Sequence, residues 1–337
     1  MKKQKKSRIF FAWTLGIVFA VIVILTGGDN AFAQKKFLSV ATGTTTGAYF
    51  AIGGGLSRIV KDKMPGYELA VESTPGTIGN LRLLTADKVN IAFAASDMTY
   101  YAVKGMEQFK NEGKEKYKSL RGLTSLYQEV IQVVTLANSP IEKMTDLKGK
   151  KVAVGAAGSG TMLAARLMLR TVGLTFDDIK PDYLNMGDAA NALADHNNDA
   201  GFFWSGLPTG SLLDLSALNK IRIIPVDDAA MAKILKDWPF YAEYIVPAGT
   251  YRGFDKDARC VASPGLLVVT TAMSDDLAYQ LTKNIFENTA MLKAAHIRGG
   301  DISLKTAFVG MPIPIHPGAV KYYKEKGLSV PAALLPK

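Results

Sequence analysis

"VAVGAAGSGTMLAARLML", residues 152–169, predicts a buried β-strand, a turn of glycine, serine and threonine, and an amphipathic helix. Such a turn can hold an anion, because the first amides of a helix have no partner within the helix. A phosphate loop requires Lys and then Ser or Thr after its second glycine. Here Gly160 is followed by Thr161 and Met162, and the glycine order also fails the dinucleotide fingerprint. Two interpretations remain: the turn only caps its helix, or its hydroxyls also hold a ligand.

The strand–turn–helix format recurs along the chain and predicts an α/β fold. The predicted strands are 37–43, 67–74, 89–97, 129–138, 146–155, 179–186, 200–206, 220–227 and 265–273, and the clearest predicted helices are 48–63, 75–88, 188–196 and 316–327. About 300 residues exceed what one hydrophobic core usually supports, so we expect two doubly wound lobes around a central cleft. Lobe 1 is predicted from 34–128 and 250–337, and lobe 2 from 129–249.

The first 33 residues have the layout of a secretory signal peptide. Five basic residues precede an apolar run over residues 9–26, and Ala31-Phe32-Ala33 supplies small residues at the expected cleavage site. We therefore expect export with cleavage after Ala33. An uncleaved membrane anchor is the alternative, because the apolar run has 18 residues.

The charge of the chain does not indicate a nucleic-acid partner. Residues 1–33 carry five basic residues and one acid, hence +4 of the total +10, which leaves +6 for the rest. The densest charged region, 104–121, mixes Lys with Glu and is typical of a solvated helix face.

Catalytic and metal-binding patterns are absent from the sequence as we interpret it. Cys260 is the only cysteine, which excludes an intrachain disulfide and a cysteine-based zinc site. His196, His296 and His316 have no metal-ligand spacing, and no Gly-x-Ser-x-Gly motif occurs. We expect no enzyme activity, no metal and no cofactor. An exported enzyme with a scattered set of catalytic residues is the less favoured alternative.

Polar turns follow several of the predicted strands. "TGTTTGAYF" (42–50) holds three threonines, and "STPGTIGN" (73–80) holds Ser, two Thr and Asn at another helix start. One helix cap requires one hydroxyl, so the surplus indicates a pocket that binds through neutral donors and backbone amides. Among the aromatic residues at element ends, Tyr49 and Tyr127 are equally compatible with core and pocket, whereas Trp204 beside Ser205-Gly206 favours the cleft.

Four stretches, taken together and in this order, resemble the TAXI-type solute receptors of tripartite ATP-independent periplasmic (TRAP) transporters. They are "VATGTTTGAYFAIGGGLSRIV", "TPGTIGNLRLLTADKVNIAFAASD", "DLKGKKVAVGAAGSGT" and "PIHPGAVKYYKEKG". The resemblance implies a type II periplasmic binding fold with a hinge, a ligand closed between the lobes, and docking onto an ion-gradient-driven TRAP permease in the membrane. It also implies small organic acids, such as glutamate and related carboxylates, as ligands. We expect a periplasmic monomer.

The resemblance also implies a set of ligand contacts, to which Tyr127 and Trp204 are added from the aromatic pattern. The predicted ligand-binding residues are Thr44, Thr45, Thr46, Tyr49, Thr74, Thr77, Ser96, Tyr127, Ser159, Gly160, Thr161 and Trp204. The first two polar turns and Ala95 depart from the family pattern, which weakens a glutamate assignment. No arginine lies in the turns, so an acid requires helix N-termini, hydroxyls, or an arginine from elsewhere such as Arg252. The alternative function is a receptor of the same fold for an ATP-driven transporter or a sensor kinase.

Overall fold

A computed structural model describes residues 35–238 and 240–336. The predicted signal peptide lies outside the described residues. Within the described part, no helix combines the length and the apolar character that crossing a membrane requires.

The strands of the described chain form one mixed sheet. They are β1 (Lys36–Ala41), β2 (Tyr67–Glu72), β3 (Ile91–Ala95), β4 (Leu120–Leu136), β5 (Lys151–Ala153), β6 (Lys180–Asp182), β7 (Ala200–Ser205), β8 (Ile221–Ile223), β9 (Ala242–Val246) and β10 (Ala258–Thr270). The order is β2-β1-β3-β10-β4-β7-β5-β6, with β8 beside β4 and β9 beside β10. The pairs β1/β3, β5/β6 and β5/β7 are parallel, as a doubly wound arrangement predicts.

The long antiparallel strands β4 and β10 join two groups of strands. Towards its C-terminal end β10 pairs with β3, and towards its N-terminal end it pairs with β9. Similarly, β4 gains β7 as a neighbour only from Val130 onward. The change falls where Glu129 lies opposite Ser263. The predicted lobe boundary at 128/129 coincides with this change, whereas the predicted boundary at 249/250 precedes the change in β10; both boundaries stay predictions.

The helices of the described chain follow the carboxyl ends of most strands. They are α1 (Ala48–Lys63), α2 (Thr77–Thr85), α3 (Ser96–Lys104), α4 (Gly160–Thr171), α5 (Met186–Ala194), α6 (Gly210–Leu218), α7 (Asp228–Asp237), α8 (Asp275–Glu287), α9 (Thr289–Ala295) and α10 (Pro317–Glu325). The bounds of α1 agree with the predicted helix 48–63.

Close packing explains two of the three consecutive glycines in α1. A Cβ atom at Gly53 would lie 2.7 Å from Thr42 Cγ2, and one at Gly55 would lie 3.0 Å from Ala295 Cβ. Helix α1 therefore approaches the sheet and helix α9 more closely than a helix with side chains at these positions would. The packing that this close approach allows outweighs the cost of about 1 kcal/mol per glycine in a helix interior.

The charged region 104–121 is not the helix face that the sequence predicts. After α3 the chain forms two short 3-10 turns, Glu107–Phe109 and Lys114–Tyr117. Glu112 lies between them and pairs with Arg82 at 2.6 Å and with Lys116 at 3.0 Å. The Arg82 pair links the region to α2 and the Lys116 pair lies within it, so its charges are partly neutralised within the fold.

Candidate functional site

A cavity lies where strands from both groups end and helices begin. The space open to the centres of water-sized molecules is about 50 Å³, roughly enough for three or four ordered waters. The cavity is lined by Gly43, Thr44, Gly47, Ala48, Tyr49, Pro75, Gly76, Thr77, Ala95, Glu129, Gly155, Ala156, Ser159, Gly160, Thr161, Leu184, Asn185, Met186, Trp204 and Ser205. In open α/β sheets, ligands bind at such strand ends.

The structure brings most of the predicted ligand-binding residues to this cavity or beside it. The predicted residues that line it are Thr44, Tyr49, Thr77, Ser159, Gly160, Thr161 and Trp204. Thr45 and Thr74 line an adjacent hollow that also includes Thr44, and Thr46 lines another hollow near the start of α6. Tyr127 lies behind Tyr49, with 6.3 Å between the ring centroids. The cavity lining does not include Ser96, whose hydroxyl donates to the Gly310 carbonyl.

Several of the predicted hydroxyls already have structural partners. Ser159 Oγ accepts from the Met162 amide at 3.1 Å and so caps α4. Thr77 Oγ1 accepts from the Ala95 amide at 3.0 Å, and Thr74 Oγ1 accepts from the Gly76 amide at 3.0 Å. For these three side chains the surplus of hydroxyls in the polar turns is explained by turn and cap hydrogen bonds.

Other polar atoms near the cavity are buried without a hydrogen-bond partner. They are Thr44 Oγ1, Thr46 Oγ1, Tyr49 Oη, Tyr127 Oη and Glu129 Oε1. A buried polar group without a partner costs about 1–3 kcal/mol. A ligand or water that donates to or accepts from these atoms would therefore gain free energy at the cavity.

The turn quoted at the start depends on two glycines. Gly155 has φ +94°, and a Cβ atom there would lie 2.7 Å from Thr161 Cβ, so the turn folds back onto the start of α4 only with glycine. A Cβ atom at Gly160 would lie 3.3 Å from Trp204 Cζ3. The indole therefore covers the first turn of α4 and forms one wall of the cavity.

Contacts between residues that line the cavity link the two groups of elements. The Ala48 amide at the start of α1 donates to Ser205 Oγ of β7 at 3.1 Å. A Cβ atom at Gly47 would lie 2.9 Å from Met186 Cε. The first polar turn thus contacts β7 and α5 directly, and the hydroxyl of Ser205 satisfies one of the free amides at the start of α1.

Glu129 is the main residue of the cavity that sequence reasoning missed. It lies in the middle of β4 and is 4% exposed. Burial raises the pKa of its carboxyl group to about 8, Tyr127, Tyr49 and the Gly206 amide lower it, and Asp97 raises it slightly. At neutral pH the carboxyl group is therefore mostly protonated. The signal in the sequence was an acid at the head of the apolar run "EVIQVVTLAN".

No lysine, arginine or histidine is among the residues that line the cavity. Arg252, suggested above as a partner for an acid, instead donates to the Ala217 carbonyl at 2.8 Å. The positive potential at the cavity comes from helix starts: α1, α2, α4 and α5 all begin with residues that line it. An anionic group in the cavity would be held by backbone amides rather than by a cationic side chain.

Metal ligands do not gather in the described residues 35–238 and 240–336. No group of three His, Cys, Asp or Glu side chains there is arranged to hold a metal ion. Cys260 is buried, and burial raises the pKa of its thiol to about 12, so it is not a reactive thiolate at neutral pH.

Two sequence comparisons bear on this chain. A model of the NMT1-like family matches residues 40–327. A putative aliphatic sulfonates-binding protein of Escherichia coli K12 is 41% identical over 81 residues. That alignment covers 24% of this chain and 25% of the relative, so the chain spans about a quarter of that relative's length.

Two solved structures are similar to this chain at low sequence identity. A Bordetella bronchiseptica protein has a TM-score of 0.55 and 17% identity, over 88% of this chain and 99% of that chain. The periplasmic aliphatic sulphonate binding protein SsuA of Escherichia coli has a TM-score of 0.43 and 16% identity, over 86% of this chain and 83% of its own. The predicted fold class, a two-lobed α/β fold of the periplasmic binding type, is confirmed. Because the family model matches residues 40–327, which are most of the chain, the chain belongs to the NMT1-like family.

Proposed function

We propose that this protein is a periplasmic solute receptor, which binds one small solute in the cavity between its two lobes and delivers it to a membrane transporter. The observation that carries the proposal is the cavity itself, at which four helices begin and around which Thr44, Tyr49 and Glu129 keep buried polar atoms without partners. A small polar solute would supply the missing hydrogen bonds. The expected export of the chain and the sulfonate-binding relative agree with this role.

The solute that we propose is small and carries an acidic group. Helix N-termini stabilise negative charge, and the lining offers four of them. The resemblance to TAXI receptors favours a carboxylate such as glutamate, whereas the name of the Escherichia coli relative favours an aliphatic sulfonate. Both classes present an anionic group of a size that backbone amides can hold.

The transporter partner is proposed from two classes. The relatives reported above do not include a TRAP receptor, so the TAXI assignment depends on the four motif stretches alone. We therefore put an ATP-driven transporter first and an ion-gradient-driven TRAP permease second. Receptor-dependent uptake of the bound solute by whole cells distinguishes them: depletion of ATP with the ion gradient maintained would stop the first, and a sodium ionophore with ATP maintained would stop the second.

A thermal-shift panel tests the receptor function. The purified protein, unfolded and refolded to remove any prebound solute, is heated with aliphatic sulfonates, dicarboxylates, amino acids and 2-oxoacids. We expect at least one solute to raise Tm, because a ligand at 100 times its Kd stabilises the folded state by about 2.7 kcal/mol. Recovery of that solute unchanged after incubation supports a receptor, whereas turnover would indicate an enzyme. If no solute in the panel shifts Tm, the receptor function is contradicted.

A further inference from the structure

We propose that Glu129 is the acceptor for a protonated amine of the solute, so that the cavity selects a zwitterion over a simple anion of the same size. This inference rests on the proposed receptor function and names the class of solute. Glu129 then acts as a specificity-determining residue that touches the ligand directly.

The position of Glu129 supports a direct contact with the solute. The residue lines the cavity and is 4% exposed, and its Oε1 atom has no hydrogen-bond partner. It lies in β4 opposite Ser263, where the two groups of strands meet. Tyr127, Tyr49 and the Gly206 amide are neutral donors to its carboxyl group, and no cationic side chain lines the cavity, so the ligand is the source of a charged partner for an ionised Glu129.

Aromatic side chains surround the carboxylate. Tyr49 and Trp204 line the same cavity, and Tyr127 contacts Tyr49 at 6.3 Å between ring centroids, with the ring planes inclined by 60°. The Trp204 indole N–H donates to the Glu129 backbone carbonyl at 3.2 Å, which fixes the indole beside this residue. An acid group with aromatic neighbours is a composition that suits an ammonium group, because an aromatic ring attracts a cation placed over its face.

The charges around Glu129 favour a cation. The facing titratable groups are Tyr127 on β4 itself, Tyr49 from α1 and Asp97 from α3. The nearby Arg298 is paired with Asp301 at 3.0 Å and does not line the cavity. A second anionic group of a solute would be repelled by the carboxylate of Glu129, whereas an ammonium group would be attracted by it.

Binding of an amine through Glu129 releases a proton. The carboxyl group is protonated in the free protein at pH 7, because burial raises its pKa to about 8. A protonated amine that forms the ion pair lowers this pKa, and the carboxyl proton passes to the solvent. A solute that binds only through anionic oxygens raises the pKa instead, so it releases no proton and takes one up above pH 8.

Matched solutes test the proposal by isothermal titration calorimetry of the purified protein at pH 7. The pairs are glutamate with glutarate and taurine with ethanesulfonate, which differ in each case by one amine. Titrations in phosphate and in Tris, whose ionisation enthalpies differ, give the number of protons released. We expect one amine solute to bind at least about 100-fold more tightly than its amine-free match, the range of a buried charge pair, with release of most of one proton.

Two variants test whether the preference for the amine and the proton release come from Glu129. Glu129→Gln keeps the size and neutrality of the protonated side chain, and we expect it to fold, to lose about 100-fold in affinity for the amine solute and to release no proton. Asp97→Asn is the matched control, since Asp97 is a second buried acid that does not line the cavity. Its preference for the amine should equal that of the parent.

The outcomes separate this inference from the proposed function. Equal binding of a matched pair, unchanged affinity in Glu129→Gln, or proton uptake overturns the role of Glu129 and leaves the receptor function intact. The same holds if an amine-free solute of the thermal-shift panel binds while glutamate and taurine do not. A panel without any binder overturns both.

Discussion

Two buried acids, Glu129 and Asp97, lie near each other and differ in what surrounds their carboxyl groups. Burial is the largest influence on both and raises both pKa values, to about 8 for Glu129 and to about 6 for Asp97. Asp97 Oδ2 accepts from Tyr241 Oη at 2.5 Å, and amides at the start of α3 also lower its pKa. One oxygen of each acid, Glu129 Oε1 and Asp97 Oδ1, is buried without a hydrogen-bond partner, but only Glu129 lines the cavity.

The comparison shows that burial alone does not mark a binding residue. At pH 7 Asp97 is mostly ionised, because the Tyr241 hydroxyl and the amides at the start of α3 limit the rise in its pKa. Glu129 is mostly protonated, because burial outweighs the three donors that lower its pKa, Tyr127, Tyr49 and the Gly206 amide. The buried acid that lines the cavity is the one that we assign to the ligand.

The largest expected effect is the pH dependence of Glu129→Gln without solute. The pKa of Glu129 is raised on folding, so its contribution to stability is fully present below about pH 4.5 and is lost as the pH rises through about 8. The glutamine of the variant does not titrate in this pH range. We expect the parent and the variant to have equal free energies of unfolding at pH 4.5, and the free energy of unfolding of the variant to be higher by about 3–5 kcal/mol at pH 8.5. Urea unfolding at the two pH values measures this, and parallel curves for parent and variant would refute it.

A smaller effect is expected at Asp97, which accepts a hydrogen bond from Tyr241. Tyr241→Phe removes the phenol donor to Asp97, so the pKa of Asp97 rises above about 6 and the protein loses about 1–3 kcal/mol at pH 7. The loss shrinks towards pH 5, where Asp97 is protonated in parent and variant. Denaturant unfolding provides the measurement. Tyr279→Phe, at an exposed hydrogen bond to Glu325, is the control with little effect; equal losses in both variants would contradict the comparison.

The smallest effect is expected at two hydroxyl side chains of one turn, Ser159, which caps a helix, and Thr161. Ser159→Ala removes the cap of α4 and should lower the free energy of unfolding by about 1 kcal/mol without solute. Thr161→Val keeps the shape of a residue that lines the cavity, so it should leave unliganded Tm within a few degrees and weaken solute binding about 3- to 10-fold. Tm with and without the solute found in the panel separates the two. An equal loss of unliganded stability in both variants would identify Thr161 as structural.

Much of the fold was predictable from periodicity, and much of its connectivity was not. The predicted helix 48–63 and the strand followed by the turn at 155–160 agree with the structure, because each is a local pattern. Residues 120–128 of β4 were not predicted as strand, although they are β-structured in the sheet. Their pairing with β10 joins segments more than a hundred residues apart, which local pattern does not report.

For the site, the sequence identified the turns but not the use of each side chain. Thr44, Tyr49 and Thr161 were predicted and line the cavity. Ser96 was predicted from the same kind of position and does not line it, because its hydroxyl is taken by the Gly310 carbonyl, 214 residues away. Which hydroxyl is free depends on distant backbone atoms.

The α/β class, the polar turns at strand ends and the lack of a phosphate-loop lysine after Gly160 follow from neighbouring residues and can be read along the chain. The packing of distant segments brings the turns of both strand groups to one cavity, leaves no cationic side chain in its lining and buries Glu129 there. Protonation and hydrogen bonding of a buried group depend on everything around it. In this protein those surroundings come from segments far apart in the chain.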